Sequence, residues 1–268
     1  MKHQQGPGSP SRRRVVTFRV LATLTALLFL AAGLDNALAG WMVIAGASGD
    51  LHPEANRWFI TTAGAADVTV AGSLLALAWR PRLSLLFFYC LVAFAVAAAI
   101  NLPFVPEFVV ILALTVPALV SYPYWADLRT ATTWWRSPRI VPLGVGVLAS
   151  AVVFTIAVTA VGRQIGGTDV AAQANWWADY AEHISLLGIA ALVAGSGRPG
   201  WQILALLTGL AWMYLGFVAV FLIPTHTASW GPSGGLAGLA VGITLTAAAA
   251  AGERPGRGVA LAGRSGHV

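Results

Sequence analysis

Long apolar runs broken by short polar connections constrain this chain more than any other feature. The runs near 15–44, 60–79, 83–101, 104–121, 140–162, 179–196, 201–223 and 234–251 mostly approach the roughly 20 apolar residues that cross a ~30 Å hydrocarbon layer. Inside a bilayer no water is available to satisfy backbone N–H and C=O groups, so such runs must become helices. The spacing therefore predicts an all-α, polytopic membrane protein with eight transmembrane helices. At 57% apolar and 10% charged residues, the chain is unsuited to a soluble fold.

The net charge of +6 would point to nucleic acid in a soluble protein. Here the basic residues sit in short connections, where they bias a membrane protein's orientation. With the N-terminus in the cytoplasm, every Lys and Arg except Arg57 and Arg163 falls at or near the cytoplasmic face. The expectation is a multi-pass protein of the cell membrane with both termini cytoplasmic, its partner the lipid bilayer and not nucleic acid. Residues 1–14 then form a polar, disordered cytoplasmic tail, 122–139 a cytoplasmic connection and 252–268 a second tail. Arg12–Arg14 with Ala37-Leu38-Ala39 also has the outline of a signal peptide. Its apolar core is longer than the usual 7–15 residues, which favours a retained first span. A single cysteine, Cys90, excludes an intrachain disulfide and a thiolate metal cluster.

The acids follow the opposite distribution. Asp35, Asp50, Glu54, Asp67, Glu107, Asp169, Asp179 and Glu182, with His52, His183 and His226, fall in the half of the molecule away from the arginines. Asp67 interrupts an apolar span, and a charged group there costs roughly 2.5–3.5 kcal/mol on insertion scales, so it marks a candidate site. Asp179, Glu182 and His183 stand at i, i+3 and i+4 and share one helix face. A carboxylate beside a histidine is a competent acid–base couple. Asp67, Glu182, His183 and Asp179 are the expected catalytic residues. The plain alternatives are a structural partner for Asn36 or Asn101, or a solvated helix start favoured by the helix dipole. His52, His183 and His226 share a side but not a ligand spacing, so neither a metal nor another cofactor is expected. The absence of a P-loop argues against phosphate chemistry.

Aligning 55–82 with 174–199 matches Asn56-Arg57-Trp58 with Asn175-Trp176-Trp177, Asp67 with Glu182, and Arg80-Pro81 with Arg198-Pro199. The segments 15–121 and 140–251 then become two four-helix membrane repeats, parallel because each holds an even number of helices. Aromatic residues recur at helical spacing on the third and seventh spans. Asp35, Asn36, Asn101, Trp212, Tyr214 and Phe217 are the expected substrate-binding residues around an outward-facing cavity.

Phe18–Ala37 resembles the first helix of the DoxX-like membrane family, and Gly64-Ala65-Ala66-Asp67, Gly72–Leu77 and Arg80-Pro81-Arg82 resemble its second. The resemblance covers the first four spans and implies association with quinones or other lipophilic molecules. Three functions fit the residues. The first is an isoprenoid-processing enzyme such as a proton-initiated membrane terpene cyclase, with acids as proton donors and aromatic rings steadying cationic character. The others are a quinone-linked redox subunit and a small-molecule transporter. The expected partner besides the bilayer is a lipophilic small molecule, an isoprenoid or a quinone.

Overall fold

The computed structural model of the protein describes residues 10–44 (backbone alone from 39), 56–105, 108–125, 128, 139–226 and 228–252. Helices dominate and no strand occurs among the described residues: α1 (Arg12–Ile44), α2 (Arg57–Trp79), α3 (Ser84–Asn101), α4 (Phe108–Val120), α5 (Ile140–Gly166), α6 (Trp176–Ala194), α7 (Trp201–Phe217) and α8 (Gly231–Ala251). A π-helical turn, Val218–Leu222, extends α7, and a single turn, Val170–Gln173, precedes α6.

Six of these helices, α1, α2, α3, α5, α7 with its extension, and α8, are long and apolar enough to cross a membrane. The other two differ from the expected pattern for separate reasons. In α4, 13 residues give about 20 Å at 1.5 Å per residue, short of a full hydrocarbon layer. In α6, 19 residues are long enough but include Asp179, Glu182 and His183.

Large apolar side chains stay on the helix surfaces, as hydrocarbon surroundings would favour. Leu24, Leu148, Val158 and Leu236 lie exposed on helix surfaces, whereas α2 and α6 are buried along most of their length. When both surroundings and interior are apolar, association rests on close packing and hydrogen bonds more than on removal of surface from water. Accordingly, the tightest helix pairs, α1 with α2, α5 with α6 and α7 with α8, meet at small residues. A Cβ at Gly33 would come 2.8 Å from the Asp67 Cβ. One at Gly64 would run into the Ala37 backbone. Between α5 and α6, Ser150 Oγ lies 2.7 Å from the carbonyl oxygen of Gly188 and 2.6 Å from that of Gly146. Around these pairs, α3 packs against α6 and α7 packs against α2, while α1 touches α4 and α5 touches α8.

Opposite ends of the bundle carry different side chains. At one end Tyr122 stacks on Phe87 at 3.7 Å between ring centroids, with Phe18 edge-on at 5.3 Å, and the Arg82 guanidinium lies 5.4 Å above Tyr124. At the other end lie Arg57, Asn101 and Trp176, each at the end of its helix; this is called the Asn101 end below. The expected tails and connection, with His52, Glu54, Glu107 and Asp127, lie largely or wholly outside the described residues.

Candidate functional site

Asp67 is carried into the bundle by α2, which begins at Arg57 and not at residue 60 as the hydropathy implied. Ten residues at 1.5 Å each place it about 15 Å from that helix end, and it is buried. The glycine of α1 that faces it, Gly33, leaves no room for a side chain between the two helices.

The start of α6 brings the other acids to the same place. Asn175 adopts a left-handed conformation, φ 61°, which asparagine tolerates better than most residues, and the chain turns there from the Val170–Gln173 turn into α6. Gln164 of α5 fixes this corner. Its amide donates to the Ala172 carbonyl at 2.9 Å and to Asn175 Oδ1 at 3.1 Å, while its carbonyl oxygen accepts from the Ala178 N–H at 3.2 Å. Asp169 caps the preceding turn, its Oδ1 accepting from the Ala172 N–H at 2.7 Å, and also accepts from the Trp177 indole at 3.3 Å. Those bonds account for Asp169 structurally, apart from the titratable cluster.

From that anchored start, Asp179, Glu182 and His183 project together. His183 Nδ1 lies 2.7 Å from the Asp179 carbonyl oxygen. Because a carbonyl only accepts, Nδ1 carries the proton, and Nε2 is left to face Asp67 Oδ1 at 3.7 Å, beyond direct hydrogen-bond distance. The Asp179 carboxylate stands 3.4 Å from Nδ1, its side chain 43% exposed against 9% for His183, so it is the most open member. Glu182 is buried and accepts a hydrogen bond from the Asn101 amide at the end of α3.

These groups line one cavity of about 490 Å³, within the usual range of small-molecule sites. Asn36, Asn101, Asn175, Asp179 and Glu182 stand on its wall with Asp67 and His183, and Phe29, Phe94, Phe108 and Trp176 supply aromatic surface. Neither lysine nor arginine lines it among the described residues. Two buried carboxylates and a buried histidine beside the more open Asp179 must share protons or hold a cation, because uncompensated buried charge is strongly unfavourable. Asp179, Glu182 and His183 offer ligand atoms within 4.8 Å of one another. An ion bound at ~2.1 Å would hold its ligands no more than about 4.2 Å apart, close to the span of this trio.

The residues named from sequence therefore divide. Asp67, Asp179, Glu182, His183, Asn36 and Asn101 line the cavity. Asp35 and the α7 aromatics lie elsewhere. Asp35 is exposed on α1. Trp212 is buried against Trp230, with centroids 5.2 Å apart. Tyr214 donates its hydroxyl proton to the Ala37 carbonyl, tying α7 to α1. Phe217 packs against Phe221 at 4.8 Å on the bundle surface. His226 belongs to a neighbouring cavity with Phe59 and Trp177, and His52 is outside the described residues.

Sequence reasoning passed over Phe29 and Phe108, and named Trp176 in the repeat alignment and not for the site. A signal existed for Phe29, which stands at i, i+3 and i+7 with Ala32 and Asn36, a stripe ending in a polar residue. No comparable signal marks Phe108. Compared with known sequence families, characterised proteins and solved structures, the chain has no significant match in any of the three.

Proposed function

We propose that this is an integral membrane protein whose cavity binds a lipophilic molecule and carries out acid–base chemistry on it, with an isoprenoid as the substrate class. One observation carries the proposal: Asp67 and the Asp179–Glu182–His183 group face a single, largely apolar cavity. Apolar walls with a few convergent polar groups are what a lipophilic ligand requires. In the reaction, a carboxyl of the cluster gives a proton to one double bond of the substrate, a second double bond closes on the cation, and a carboxylate of the cluster takes a proton back from a neighbouring carbon to leave an isomer. His183, held by its Nδ1 bond to the Asp179 carbonyl, faces Asp67 at 3.7 Å and exchanges a proton with it when that gap closes to hydrogen-bond distance, and the rings of Phe94 and Phe29, 5.5 Å apart, offer π faces to the resulting cation.

The topology proposed with this function has eight crossings, both termini in the cytoplasm and the Asn101 end outward. The charge distribution supports it. Two four-helix repeats are supported by the packing pattern: exchanging α1 with α5, α2 with α6, α3 with α7 and α4 with α8 turns the α1/α2 pair into α5/α6, the α3/α6 contact into α7/α2 and the α1/α4 contact into α5/α8. The close α7/α8 pair has no equally tight counterpart in α3/α4.

The test is purification in detergent, extraction of bound lipid and incubation with linear C15–C30 polyprenes. The expected product is an isomer of unchanged mass, formed by the native protein and lost in Asp67→Asn, whose amide keeps the shape but cannot supply the proton. A fully active Asp67→Asn protein would overturn the mechanism. A co-purifying quinone with its characteristic absorption would instead favour the redox role that the DoxX-like resemblance implies.

A further inference from the structure

We infer that the cavity is loaded sideways from the bilayer, between α1 and α4, by a single-chain amphiphile whose head is a hydroxyl or carbonyl and not an anion. This rests on the lipophilic-site proposal above and adds the route and the head group.

Three helices place polar and apolar lining residues in the same order. On α1 the wall runs from Asn36 to Leu28, on α3 from Asn101 to Ala93, and on α6 from Asp179 to Leu186. The separations are eight, eight and seven residues by position, about 10–12 Å of depth at 1.5 Å per residue. On these three helices the wall is polar toward the Asn101 end and apolar toward mid-bundle, with His183 between; α2 and α4 add Ile60, Ala63 and Phe108 at the Asn101 end, with Asp67 deeper. An amphiphile lying in one leaflet has the same polarity along its length.

The apolar part is open to the side. Leu28 and Ile111 line the cavity and are 48% and 36% exposed. Around them α1 presents Leu24 and Leu27, and α4 presents Val109, Val110 and Leu114, all exposed. The wall here therefore adjoins residues of the same two helices that are exposed without lining the cavity, and the surface is apolar on both sides. Nor are α1 and α4 packed together as α1 and α2 are. A tail can therefore pass from lipid into the site without crossing water.

The head group follows from the polar lining. Phosphate would meet three carboxylates and, among the described lining residues, no lysine or arginine, a repulsive and unpaired arrangement. A hydroxyl donates one hydrogen bond and accepts others, and the carboxyl, imidazole and amide groups present offer both roles.

The full-length protein in liposomes is irradiated with either of two probes, hexadecanol or hexadecyl phosphate, each with a mid-chain diazirine, and labelled peptides are mapped by mass spectrometry. The alcohol should label segments 28–36 and 108–114, at least tenfold more than the phosphate. Ala32→Trp with Ile111→Trp, both at the lipid-facing edge of the opening, should cut that labelling at least tenfold with an unchanged chromatographic profile. Should the double variant aggregate, the native protein still decides: label on α5 or α8 in place of α1 and α4 overturns the route. Equal labelling of cavity residues with and without the tryptophans also overturns the route, and equal labelling by the phosphate overturns the head group. No label on any cavity residue by either probe overturns the underlying lipophilic site.

Discussion

Replacing Gly64 by alanine tests whether the α1/α2 contact positions Asp67. An added Cβ would stand 2.7 Å from both the Ala37 Cα and the Gly33 carbonyl oxygen, and closer still to the Ala37 amide nitrogen. All three are backbone atoms, so no rotamer change relieves the overlap, and α1 must withdraw by roughly 1 Å to restore ordinary contact distances. Overpacking of this kind costs about 1–3 kcal/mol. Alanine also gains up to about 1 kcal/mol over glycine in helix propensity, which Gly162→Ala isolates because a Cβ at Gly162 meets nothing within 4 Å. The expected difference between the two variants is therefore about 1–3 kcal/mol, with Gly64→Ala the less stable. It is measured by SDS titration of the purified protein followed by far-ultraviolet circular dichroism. The withdrawal also carries Asn36 away from Asp67, so ligand uptake should fall in Gly64→Ala and not in Gly162→Ala. Equal stability and equal uptake in the two variants would refute the argument.

Gln164→Leu removes two donated bonds and strands the Ala178 N–H at the start of α6; at about 0.5–1.5 kcal/mol per net bond and 1–3 for an orphaned buried donor, a loss of roughly 2–4 kcal/mol is expected in the same SDS titration, and a loss under 1 would mean the corner is not held by this side chain. With Cys90 replaced by alanine, Thr168→Cys should react with an impermeant thiol reagent added to intact cells and Arg80→Cys should react only after permeabilisation; the reverse pattern would invert the proposed topology.

How much of this could be read in advance depended on range along the chain. Among the described residues, hydropathy located the six helices long and apolar enough to cross a membrane, because a residue's preference for hydrocarbon is local and a bilayer-scale helix averages it over many positions. The exception in length is α4, 13 residues with Pro117 inside it, a residue that removes one backbone hydrogen bond and weakens a helix it does not end. Asp67 and the Asp179–Glu182–His183 face were equally legible, since a carboxylate in an apolar run and an i, i+3, i+4 grouping need no tertiary information.

Which of those groups meet was a different matter. Tyr214 and Phe217 form a helical stripe much as Phe87 and Phe94 do, yet Phe94 lines the cavity, Phe87 stacks on Tyr122, Tyr214 binds the Ala37 carbonyl and Phe217 faces outward. Periodicity gives the face of a helix, not its neighbour. The neighbour is set by where backbones can approach, at Gly33, Gly64, Gly188 and Gly209, and by long-range bonds such as Asn101 to Glu182. The sequence by itself determined an apolar helical protein with acids and histidine toward one end. Only packing decided that Asn36, Asp67, Asn101, Glu182 and His183 would share one cavity, because their association depends on helix crossings between residues up to 147 positions apart, from Asn36 to His183.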